Sequence, residues 1–91
     1  MIVARKLYIS GLVQGVGYRF FAQRSAARHQ VKGYVRNLDD GRVESLVQGR
    51  ESAVDAFKQD LATGPLGSEI ENIEEFVIEP EVNYSTFRIE K

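Results

Sequence analysis

The sequence predicts an α+β fold: a mostly antiparallel sheet, two helices on one face of it and a short additional C-terminal strand. Three observations carry this. The hydrophobic pattern switches between a period of two and helical spacing, in the order β-α-β-β-α-β. An Asp-Gly turn separates the two middle strand patterns, as a hairpin requires. Each helical stretch has one apolar side, which needs a sheet face to cover it. The arrangement that satisfies all three is the split βαβ, or ferredoxin-like, sandwich. The 91 residues fit a single domain over 1–91.

Taken in order, Leu7, Ile9, Gly11 and Val13 alternate with Lys6, Tyr8 and Ser10, a half-buried strand. From Tyr18 to His29, the residues Tyr18, Ala22, Ala26 and His29 form one stripe at helical spacing, flanked by Phe21. Arg19, Gln23, Arg24 and Arg28 occupy the solvated side. Val31 to Asn37 and Arg42 to Gln48 read as strands joined by Leu38-Asp39-Asp40-Gly41. Arg50 to Ala62 places Val54, Phe57 and Leu61 on one helical face, and Gly64-Pro65 ends it. Ile70 to Glu79 is a further strand, and Thr86 to Glu90 the last short one. There is no repeat, linker or low-complexity tract.

Composition narrows the function classes. A hydrophobic content of 43% supports one modest core. No apolar run is long enough to span a membrane, and Met1 to Lys6 lacks a signal-peptide core. With no cysteine, disulfides and thiolate chemistry are excluded. The expectation is a soluble cytoplasmic protein, monomeric because neither size nor charge demands a partner. The net charge of −1 gives no global attraction to nucleic acid or anionic lipid, so neither is an expected partner. Any bound anion must be held locally.

One place suits that task. Between the first strand and the first helix lies Gly11-Leu12-Val13-Gln14-Gly15-Val16-Gly17-Tyr18-Arg19. The first N–H groups of a helix have no internal partner, and the positive end of its dipole favours an anion. Gly15 and Gly17 let successive N–H groups turn inward as a nest. Arg19 adds a planar fork of donors matched to phosphate or carboxylate. Read alone, the loop stands between an anion site and an ordinary glycine turn beside a solvated arginine. It lacks the lysine of a Walker A loop and the third glycine of a dinucleotide fingerprint. Asn37 ends a strand just before the hairpin. It reads as a turn former or cap, unless it faces the loop that carries Arg19.

Other catalytic groups are scarce. His29 is the only histidine and reads as packed or helix-capping. Asp39, Asp40 and Glu44 read as solvated turn carboxylates rather than a metal site; no metal or other cofactor is expected.

Two stretches together resemble the signatures of the acylphosphatase family. The first, G-x-V-Q-G-V-x-[FY]-R, is matched by Gly11, Val13, Gln14, Gly15, Val16, Tyr18 and Arg19. The second, G-[WY]-V-x-N-x-x-D-G-x-V-E, is matched by Gly33, Tyr34, Val35, Asn37, Asp40, Gly41, Val43 and Glu44. Gly64-Pro65 and Phe87-Arg88-Ile89 also fit, so the resemblance covers nearly the whole chain. It implies metal-independent hydrolysis of the carboxyl–phosphate bond of acyl phosphates. It also implies phosphate binding by Arg19 and by the backbone N–H groups of Gly15, Val16, Gly17, Tyr18 and Arg19, with Asn37 positioning the attacking water. Three residues depart from the family's usual choices. Tyr34 stands where tryptophan is common, Gln30 where a glycine often ends the first helix, and Thr86 where glycine is frequent.

The implied chemistry suits the thin inventory. The leaving carboxylate has a conjugate acid of pKa ~4 and departs unassisted, whereas an alkoxide needs an acid or a metal. Phosphoryl transfer is mainly positioning and charge stabilisation. Two alternatives share the fold. One is a non-catalytic phosphate-ligand domain. The other is an RNA-binding module, because Lys32-Gly33-Tyr34 imitates the start of RNP1; that match breaks at Val35 and falls on the second strand rather than the third.

Overall fold

The alternating apolar residues of the strands and the apolar stripes of the helices meet in one layer. In the computed structural model, which describes residues 1–81 and 83–91, the chain forms β1 (Ile2–Leu12), α1 (Tyr18–His29), β2 (Lys32–Asn37), β3 (Val43–Arg50), α2 (Glu51–Thr63), β4 (Glu69–Ile78) and β5 (Phe87–Glu90). The sheet order is β4-β1-β3-β2-β5. All neighbouring pairs are antiparallel except β2 with β5, which is parallel. β1 and β2 therefore run the same way with β3 between them, the predicted split βαβ arrangement. Leu7, Ile9, Val35, Val43 and Val47 point from the sheet into the core, and Tyr18, Ala22, Ala26, Val54, Phe57 and Leu61 meet them from the helices.

The helices are also joined by polar contacts. The Tyr18 hydroxyl donates to the Leu61 carbonyl at 2.6 Å, satisfying one of the carbonyls left over at the end of α2. Asp60 accepts from the Ser25 hydroxyl at 2.7 Å and pairs with Arg28 and with His29 at 3.0 Å. His29 is thus a half-buried packing residue. Ser25, not His29, completes the buried side of α1.

Element ends differ modestly from the sequence reading. β1 starts at Ile2, because Ile2 and Val3 pair with Arg50 and Gly49; that pairing also carries β3 through Arg50. Arg42 belongs to the turn. Gln30 at the end of α1 is left-handed (φ 59°, ψ 42°), and Val31 N–H donates back to Ala26 O at 3.0 Å. That is a Schellman motif without its usual glycine.

The second face of the sheet is not bare. β4 and β5 are at opposite edges, so the chain between them crosses it. There Gln48 exchanges hydrogen bonds with the backbone of Glu81, and Tyr84 lies against Tyr34 with ring centroids 6.3 Å apart. The carboxyl ends of β1, β2 and β5 and the start of β3 share one end of the sheet. The loop before α1 and the β2–β3 hairpin both open there.

Candidate active site

The loop begins with a bulge. The β1–β4 register shifts between Ser10 and Gly11. Gly11 has φ 127°, and a Cβ there would lie 2.1 Å from Glu69 O. This glycine lets β1 press against the edge strand β4 at the bulge, where Gly11 pairs with Ile70, and is not part of any nest. The chain then reaches Gly15 (φ 77°) and Gly17 (φ 76°). Gly17 is the left-handed cap of α1; no side chain caps the helix and its first turn holds no acidic residue. Among the described residues, the N–H groups of Gly15, Val16, Gly17, Tyr18 and Arg19 have no hydrogen-bond acceptor. A Cβ on Gly15 or Gly17 would meet nothing within 4 Å. The cradle is therefore open, donor-rich and at the positive end of a helix.

Arg19, in the first turn of α1, reaches β5. Its Nη1 donates to the Glu90 carbonyl at 3.3 Å. Arg28, Arg36 and Arg42 each pair with a carboxylate, of Asp60, Glu44 and Asp40 respectively. Among the described residues no carboxylate pairs with the half-buried Arg19, so its charge is uncompensated. Glu90 stands opposite Arg36 in the β2–β5 register. Arg19 is thereby drawn to the strand end whose next residue is Asn37.

Asn37 is the last residue of β2 and lies opposite Val43, as does Ile9. It shares their helix-facing side, the side on which α1 begins. It neither forms nor caps the turn. Leu38 N–H donates to Arg42 O at 2.8 Å and Gly41 N–H to Leu38 O at 3.2 Å, while Asp40 accepts from Arg42 N–H at 3.1 Å. The Asn37 Oδ1 is buried and, among the described residues, has no partner. A buried acceptor left unpaired costs about 1–3 kcal/mol, and such groups call for a ligand or a function. The structure thus brings Arg19, the N–H cradle and Asn37 to one end of the sheet.

Gln14 has a contact that sequence reasoning gave no role. Its Nε2 donates to Leu38 O at 2.8 Å and to Arg42 O at 2.9 Å, tying the loop to the hairpin. The available signal was its presence in the first signature with no strand or helix duty.

The carboxylates divide. Asp39 and Asp40 are exposed, as expected, but Glu44 is only 4% exposed. It lies on the sheet face away from the helices, accepting from Tyr34 Oη at 3.1 Å and Arg36 Nε at 2.6 Å. The solvated reading of Glu44 is corrected: Tyr8 and Arg36 flank it on the neighbouring strands and Tyr34 bonds it across the same face. Burial pushes its carboxyl up, but the Tyr8 hydroxyl beside it, Arg36 and Tyr34 hold it below its ordinary value. Among the described residues, no three His, Asp or Glu side chains are grouped to hold a metal. No helix of the described residues is long and apolar enough to cross a membrane.

Fold and site geometry together define a small ferredoxin-like α+β domain with an open, cationic loop at one sheet end. The acylphosphatase family model matches residues 5–89. The acylphosphatase of Solibacter usitatus is 47% identical over 94% of this chain and 88% of its own length. That of Archaeoglobus fulgidus is 40% identical over 97% and 98%. The crystal structure of the acylphosphatase from Bacillus subtilis superposes with a TM-score of 0.94 at 33% identity, covering all of both chains. The chain belongs to the acylphosphatase family, and its activity is the hydrolysis of acyl phosphates.

Proposed function

We propose that hydrolysis takes place without a metal, at a site made of Arg19, the N–H groups of Gly15 to Arg19, and Asn37. The observation that carries this reading is five consecutive N–H groups, the last that of Arg19 itself, which among the described residues have no acceptor, together with an Arg19 side chain with which no described carboxylate pairs. The phosphoryl oxygens accept from these donors. The Asn37 side-chain amide holds the attacking water in line by a hydrogen bond, leaving a lone pair of that water for phosphorus. The new P–O bond forms as the bond between phosphorus and the acyl oxygen breaks. The acyl group leaves as a carboxylate and needs no general acid. The water's proton passes to the phosphate or to solvent, since an amide is no base at neutral pH. Charge stabilisation and in-line placement supply the catalysis.

On this reading the protein acts as a cytoplasmic monomer on a small-molecule substrate. Tyr34, the aromatic that an RNA-stacking face would present, is 9% exposed and lies against Tyr84, which favours the enzymatic reading over RNA binding. Asn37→Ala tests the site. We expect kcat to fall by about a hundredfold while inorganic phosphate still inhibits competitively. An unchanged kcat contradicts the assignment.

A further inference from the structure

We infer that Gln14 is a positioning residue that fixes the phosphate-holding loop against Asn37; the inference rests on the site proposed above. Gln14 immediately precedes Gly15, and one amide NH2 spans the neck of the hairpin to Leu38 O and Arg42 O. Each carbonyl already accepts one backbone N–H, from Gly41 and Leu38 respectively. Gln14 takes the second lone pair of each. Leu38 follows Asn37 directly, so the clamp ends one residue from the side chain that orients water. Among the described residues, no other hydrogen bond joins the loop of residues 13–17 to residues 37–42. The glycines of that loop supply no packing of their own.

The chemistry of the clamp is specific. Two carbonyl oxygens demand two donors from one short side chain, which a glutamine amide provides. A glutamate would set a carboxylate against both oxygens. Methionine fills similar space and donates nothing. In-line transfer tolerates little displacement, and a shift of about 1 Å costs on the order of a hundredfold in rate. The loop keeps its own N–H groups and Arg19 without the clamp, so its hold on phosphate persists.

Gln14→Met is expected to lower kcat by about 10- to 100-fold, while inhibition by inorganic phosphate changes by less than about threefold. In an Asn37→Ala background the same change is expected to cost less than about threefold more, because the water it aligned is already lost. Gln14→Glu gives a second readout should the methionine variant not fold. Once protonated, its O–H donates to one carbonyl, so its rate relative to the parent protein rises between about pH 7 and pH 4. A parental kcat in Gln14→Met overturns the inference. So does a full further loss in the Asn37→Ala background, or a pH-independent ratio for Gln14→Glu. If Asn37→Ala and Arg19→Gln are inactive while Gln14→Met is fully active, the clamp alone fails; if Asn37→Ala is fully active, the site itself fails.

Discussion

Gln30 is the one non-glycine among the described residues with a positive φ. Its place at the end of α1 was legible in the sequence, because a glycine is usual there and the helix had to stop before Val31. The left-handed backbone costs an L-residue roughly 1–2 kcal/mol, and the greater freedom of glycine in the unfolded chain returns part of it. Gln30→Gly is therefore expected to stabilise the protein by about 0.5–1 kcal/mol. That corresponds to a Tm higher by about 3–6 °C, measurable by thermal unfolding; a lower Tm contradicts the account. Asn37 shows the opposite case. Its position at a strand end was legible, but a turn-forming role and a catalytic one look the same in sequence. The turn's hydrogen bonds, made without the Asn37 side chain, remove the turn-forming role, and the catalytic one stands as proposed above.

At the scale of elements, Glu44 on β3 shows where pattern reading runs out. Alternation places it on the sheet face away from the helices, and that face reads as solvated until Tyr8, Arg36 and Tyr34 are brought around it by the strand register. Once covered, Glu44 is held ionised by Tyr8, Arg36 and Tyr34, below its ordinary value of 4.5. Its contribution to stability is present above that pH and is lost as pH falls through the lowered folded value. Glu44→Gln is expected to cost about 1–2 kcal/mol at neutral pH and progressively less as the medium is acidified below pH 4.5. Urea unfolding at several pH values measures this, and a cost independent of pH contradicts it. The helices and the hairpin were legible because their signals are local: apolar stripes, Asp40-Gly41 and Gly64-Pro65. β1 and β3 ran longer than predicted because the pairing of Ile2 with Arg50 leaves no periodic mark in either segment.

For the whole molecule, a net charge of −1 means that a phosphoryl group must be held locally, and the site proposed above lies at one sheet end. Three distant segments assemble it: the loop before α1, the end of β2 and the end of β5, with Arg19 reaching Glu90 across the fold. The two signatures are what implied that Arg19 and Asn37 act together, as proposed above. The Glu90 carbonyl, the Gln14 clamp and the orphaned Asn37 oxygen depend on tertiary geometry and were not legible. The most direct test of the central claim is release of inorganic phosphate from acetyl phosphate in the presence of EDTA, by the parent protein and by Arg19→Gln, with circular dichroism to verify folding. The account predicts an undiminished rate in EDTA for the parent and a loss of about a hundred- to a thousandfold for Arg19→Gln. A parental rate in Arg19→Gln, or a parent protein silenced by EDTA, contradicts it.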